Sequence, residues 1–142
     1  MGLVKRLAQL RTQTEQDNQM IGYVTVGVSD MERAKSFYTG LFADKGAKVV
    51  IDAGRIAFIG AEPGAPMVAV CTPYDGEACH HGNGGMIAFP ADSKDAAQAM
   101  YDRAISLGAT DEGEPGQRVP DRFYGAYVRD PDGNKLCFYV FG

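Results

Sequence analysis

Cysteine is scarce in this chain. Its three residues, Cys71, Cys79 and Cys137, are odd in number and show no CxxC spacing. A reduced, cytoplasmic setting fits this better than a disulfide framework. Histidine is scarcer: the only two are neighbours, His80 and His81. Adjacent residues of an extended chain point to opposite sides, so both are not expected to reach one ion. With Cys79 they match no zinc-site spacing, and they are expected to be solvated loop residues. No apolar run approaches the roughly 18 residues needed to span a bilayer. Nor is positive charge in excess: 14 Lys and Arg stand against 18 Asp and Glu, a net charge of −4. A nucleic-acid partner would want a basic face, so none is expected.

What is present is ordinary for a globular protein, 45% apolar and 23% charged over 142 residues. That length suits one domain, or two half-size modules sharing a core. Residues 1–20 stand apart. Leu3, Val4, Leu7 and Leu10 recur at helical spacing, with Lys5, Arg6 and Arg11 between them. A basic amphipathic segment can touch a membrane surface or act in targeting, but no cleavage-site pattern follows. A helical extension packing on a neighbouring subunit is the expectation.

From Gly22 the pattern alternates, with Val24, Val26 and Val28 on one side and Tyr23, Thr25 and Gly27 on the other. Ser29 with Glu32 has capping-box spacing, and Met31, Ala34, Phe37, Tyr38 and Leu41 form a helical stripe. Short strands are expected over Ala47–Asp52, Arg55–Gly60 and Met67–Thr72. Residues 73–84 read as a linker rich in glycine and polar residues. Beyond it come a strand over Met86–Ala91, a helix capped by Asp92 or Ser93, and Gly108 as its stop. The Asp111–Arg122 stretch is charged and broken by prolines, so any strand there should be brief. A hairpin closes the chain, turning at Asp130-Pro131-Asp132-Gly133-Asn134.

Each half therefore reads β-α-β-β-β: module one over 21–72 and module two over 85–142. Gly22-Tyr23 aligns with Gly85-Met86, and the same spacing carries Ala34 to Ala97, Phe37 to Met100 and Tyr38 to Tyr101. Strand start, cap and helix stripe coincide, which points to an internal repeat. In the last strand Leu136, Phe138 and Val140 face one way and Cys137, Tyr139 and Phe141 the other. The first set reads as helix-covered core and the second as the wall of a cavity.

The segments GYVTVGVSDMERAKSFY (22–38), GNGGMIAF (82–89) and RDPDGNKLCFY (129–139) resemble the vicinal oxygen chelate superfamily of glyoxalase I, bleomycin-resistance proteins and extradiol dioxygenases. The resemblance covers about residues 20–142. It implies an α+β fold of two βαβββ modules, a curved mixed sheet with a concave cleft, and a homodimer. It also implies metal ligands, His and Glu, on the front of the first and last strands of each module. Here those positions hold Tyr23, Met86, Cys137 and one of Met67, Ala69 and Cys71. None is His or Glu, so no metal and no other cofactor is expected.

The expected ligand pocket is lined by Tyr23, Thr25, Met67, Ala69, Cys71, Met86, Tyr124, Tyr127, Cys137 and Tyr139. Arg118 is the anchor for an anionic or carbonyl-bearing ligand. Tyrosine offers an apolar body with a polar tip. Cys137 reads as a small hydrophobe, since a nucleophilic thiol needs a lowered pKa and a nearby base. The leading expectation is a metal-free small-molecule-binding protein. The alternatives are a metal-dependent lyase, isomerase or dioxygenase on a small carbonyl or aromatic substrate, and a non-catalytic interaction protein.

Overall fold

The computed structural model describes residues 18–142. The helical extension expected over 1–20 lies outside the described residues as far as residue 17. The chain divides after Thr72 into two compact units, each a four-stranded mixed sheet with one helix across one face.

In the first unit, β1 (Tyr23–Gly27) leads into α1 (Met31–Leu41) and a single 3₁₀ turn at Ala43–Lys45. Strands β2 (Lys48–Asp52), β3 (Ile56–Gly60) and β4 (Met67–Cys71) follow, and the sheet order is β1-β4-β3-β2. Strand β1 runs parallel to β4, and the other two pairings are antiparallel. The helix starts because Asp30, extended at φ −136°, turns its carboxylate back to accept from the Arg33 N–H at 3.0 Å. The cap is thus one residue later than the expected Ser29, whose hydroxyl accepts from the Arg33 guanidinium instead. A carboxylate suits the positive end of the helix and such a cap contributes about 1 kcal/mol.

Ala34, Phe37, Tyr38 and Leu41 of α1 are buried with Val26, Ala57, Ile59, Val68 and Val70 of the strands. Each large side chain removed from water there stabilises by roughly 1.5–3 kcal/mol. At the edge, Lys35 reaches from α1 to Asp52 of β2 at 2.9 Å and to Glu32 at 2.6 Å.

The second unit repeats the plan. Strand β5 (Ile87–Pro90) leads into α2 (Lys94–Ser106), then β6 (Thr110–Val119), β7 (Phe123–Arg129) and β8 (Lys135–Phe141), in sheet order β5-β8-β7-β6. Ser93 caps α2 by accepting from the Ala96 N–H at 3.0 Å. Its stripe of Ala97, Met100 and Ala104 is buried, as are Ala126, Val128, Leu136 and Phe138 of the sheet.

One element differs from the reading of the sequence. The stretch expected to hold at most a brief strand is β6, ten residues long. Its pairing with β7 slips at three places, between Asp111/Gly113, Gly113/Gly116 and Gln117/Val119. Bulges and an edge position let a strand carry the proline and glycines that alternation would reject. Among the described residues no helix is long and apolar enough to cross a membrane.

Candidate functional site

Each sheet has one face under its helix, so the other face is where side chains can meet a ligand. Pairing decides which residues share it, because directly opposed residues project to the same side. In the first unit, Tyr23, Thr25 and Gly27 of β1 pair with Met67, Ala69 and Cys71 of β4. Ile56 and Phe58 of β3 pair with Cys71 and Ala69. All these stand opposite to the buried Val26–Val70 set. Tyr23 is half exposed, and its ring meets Phe58 edge-on at 4.8 Å. Beside Met67 a groove of ≈ 560 Å³ opens at the sheet edge, lined by Lys48, Val49, Val50, Gly60 and Glu62.

In the second unit Tyr127 pairs with Cys137, Gly125 with Tyr139, and Phe123 with Phe141. These pairs share the helix-free face. Met86 lies one residue before β5 and is exposed, two residues before Ala88, which pairs with Cys137. Tyr124 is the correction to the expected pocket. It pairs with Val140 on the helix side, where the Lys94 ammonium of α2 sits 5.7 Å from its ring. It lies three residues from Tyr127, an odd spacing that sends the two rings to opposite faces, and a list of tyrosines does not reveal parity.

Tyr127 is the centre of the second face. Its ring crosses two glycines: a Cβ on Gly113 would come within 3.0 Å of Tyr127 Cδ2, and one on Gly125 within 3.4 Å of its hydroxyl. The Tyr127 ring stands cross-strand from Cys137. Burial pushes the phenol above its ordinary pKa, and the neighbouring sulfur adds to this against the pull of Arg118. Burial also pushes the Cys137 thiol up, although the Tyr127 phenol and the Lys135 and Arg118 charges oppose it. Cys137 is fully buried. A protonated, enclosed thiol is not a nucleophile.

Two cations approach this ring. The Arg118 guanidinium carbon and the Lys135 nitrogen each lie 5.3 Å from its centroid. Arg118, expected in an irregular loop, projects from β6, and its guanidinium also donates to the Glu114 carbonyl. Lys135 was not among the expected residues, although its place two before Cys137 puts it on the same face. Phe123, Tyr139 and Phe141 form an aromatic cluster further along, with centroid separations of 5.7, 5.9 and 5.0 Å.

The positions at which the resemblance implies a metal carry Tyr23, Met86, Cys137 and one of Met67, Ala69 and Cys71. A divalent ion needs imidazole nitrogens or carboxylate oxygens to replace its water. Phenol, thioether and a thiol held protonated do not fit it. Among the described residues no group of three His, Cys, Asp or Glu side chains is placed to hold an ion. His80 and His81 are exposed, and the His81 ring sits where a Cβ on Gly133 would come within 2.9 Å of it.

Residues 20–138 match the model of the Glyoxalase/Bleomycin resistance protein/Dioxygenase superfamily. A glyoxalase/bleomycin resistance protein from Albidiferax ferrireducens T118 superposes with a TM-score of 0.75 at 36% identity, over 85% of this chain and 98% of that one. A glyoxalase-related enzyme from Fulvimarina pelagi follows at 0.69 and 20% identity, covering 85% and 87%. Lactoylglutathione lyase from Agrobacterium tumefaciens gives 0.63 at 23% identity, covering 85% and 92%, a likeness of fold. Among curated proteins, none matches the chain by sequence.

Proposed function

The chain belongs to the Glyoxalase/Bleomycin resistance protein/Dioxygenase superfamily, and from that premise we propose that it binds a small molecule without a catalytic metal, in the cleft that the resemblance implies. The observation that carries this reading is the make-up of the helix-free faces. Tyr23, Thr25, Met67, Tyr127 and Tyr139 supply apolar area with a few hydroxyls, the usual composition of a ligand pocket. The positions that would have to hold an ion carry a phenol, a thioether and a buried thiol. A homodimer and a cytoplasmic location belong to the same proposal, and light scattering tests the first.

The test has two arms. Elemental analysis of protein purified without an affinity tag should find only traces of zinc, nickel, iron or manganese. Near-stoichiometric metal lost on Tyr23→Phe or Cys137→Ser would overturn the metal-free reading. A thermal-shift screen of metabolites and aromatic antibiotics should raise the melting temperature with at least one class of compound. No shift with any compound, together with faces closed by their own side chains, would remove ligand binding.

A further inference from the structure

The helix-free face of the second unit is graded, charged at one end and aromatic at the other. At the charged end Arg118 and Lys135 flank Tyr127. Moving along β7 and β8, the Gly125–Tyr139 pair comes next, then Phe123–Phe141. A Cβ on Gly125 would approach Phe123 to 2.9 Å and the Tyr127 hydroxyl to 3.4 Å, so these rings converge over that glycine.

The two cations have donors to spare. A guanidinium carries five N–H groups and an ammonium three. A ring face satisfies the charge in part but accepts none of these hydrogen bonds in their normal geometry. The nearby carboxylate of Glu112 is already paired with Arg129 at 3.1 Å. Among the described residues neither Arg118 nor Lys135 has an ion pair. On a chain of net charge −4, two such cations at one ring form a local positive site.

We propose that Arg118 and Lys135 hold the oxyanion of the ligand, a carboxylate or phosphate, over Tyr127, with its apolar or aromatic body lying toward Phe123, Tyr139 and Phe141. Arg118 supplies a planar fork that matches two oxygens, and Lys135 supplies a point charge. This names the ligand class for the site proposed above and rests on that reading.

The experiment titrates the full ¹⁵N-labelled chain with benzoate, phenyl phosphate and the neutral benzamide, followed by amide resonances. Benzoate or phenyl phosphate should move Gly113, Tyr127 and Lys135 and bind at least about tenfold more tightly than benzamide, a gap that salt narrows. The better of the two identifies the oxyanion. Arg118→Gln and Lys135→Gln should each weaken that anion about tenfold and leave benzamide unchanged, while Lys135→Arg should retain binding. Unchanged spectra away from the face confirm that the variants fold. Benzamide binding there as tightly as the anions, or variants that bind the anions normally, would overturn the oxyanion site and leave small-molecule binding standing. No shift on the helix-free face of either unit with any probe would count against both.

Discussion

Asp130 is the one charged residue counted as buried in the described structure, 4% exposed, at the turn between β7 and β8. One oxygen accepts from the Asp132 and Asn134 N–H groups, both at 2.9 Å, and the other from the Asn134 side-chain amide at 2.9 Å. The backbone closes the same turn, with the Asp130 N–H donating to Asn134 O at 2.8 Å and the Gly133 N–H to Asp130 O at 2.9 Å. Gly133 supplies the φ of 91° that this path requires. Asp130→Ala removes the acceptor for three donors and leaves the backbone bonds in place.

A hydrogen bond to a charged group contributes about 1.5–3 kcal/mol, and a donor that regains water recovers part of it. The three donors here are only partly buried, so about 3 kcal/mol is lost in all. Asp130→Asn keeps an oxygen for the two backbone donors and sets an NH₂ against the Asn134 amide, so about 1–1.5 kcal/mol is expected. Urea unfolding reads both. With m near 2 kcal/mol/M, the alanine variant should lower the midpoint by about 1.5 M and the asparagine variant by less than about 1 M. An alanine variant no less stable than the asparagine one would refute the view that the carboxylate organises this turn.

Four further outcomes are expected. Phe138→Ala, at a fully buried position, should cost about 3–5 kcal/mol by the same unfolding assay. Asp52 ionises below its ordinary range, first because the Gly54 N–H donates to it and then because Lys35 does. Its stabilisation is therefore present above the ordinary value of 3.8 and lost as pH falls through the depressed one, and Asp52→Asn should flatten that acid limb of stability against pH. Tyr101, desolvated and bonded to Asp111 at 2.9 Å, is pushed up to about 12. Its contribution is complete below the unfolded value of 10.0 and lost as pH rises from there toward 12, so Tyr101→Phe should lack that alkaline decline. Under limiting iodoacetamide, peptide mass spectrometry should find Cys137 alkylated after Cys71, because it is buried where Cys71 is partly exposed.

Much of this was legible in the sequence, for a physical reason. Alternation in Val24–Val28 and the Phe37–Tyr38–Leu41 stripe record burial directly, since one face of each element must leave water, whereas in β8 Leu136, Cys137 and Phe138 are buried alike. The DPDGN turn was legible because each of its residues has a local conformational role. Strand β6 was not. Its ten residues are held by pairing to β7 across three register slips, and a partner strand leaves no period in its neighbour's sequence.

Which residues share the helix-free faces is legible in part from the alternation of single strands and in part only from their pairing. Tyr23, Thr25, Met67, Ala69, Cys71, Tyr127, Cys137 and Tyr139 lie on the helix-free faces by alternation, although Ala69 and Cys137 are fully buried there. Tyr124 departs from the expected pocket because its place in β7 is of the opposite parity to Tyr127. Lys135 carries no signal of its own in the sequence, since a lysine beside a turn is ordinarily solvent-facing charge. Both follow once β7 and β8 are laid side by side. Pairing Phe123 with Phe141 sends Tyr124 to the helix and sets Tyr127 opposite Cys137, with Lys135 two residues from it on the same side. The hairpin register, held in part by the buried Asp130 carboxylate, therefore decides which residues this face presents. A one-residue slip would turn Tyr127, Cys137 and Lys135 into the core and bring Leu136 and Phe138 out. The turn at the end of the chain thus fixes the register of the face proposed to hold the ligand, and a turn variant that shifts register should lose anion binding and stability together.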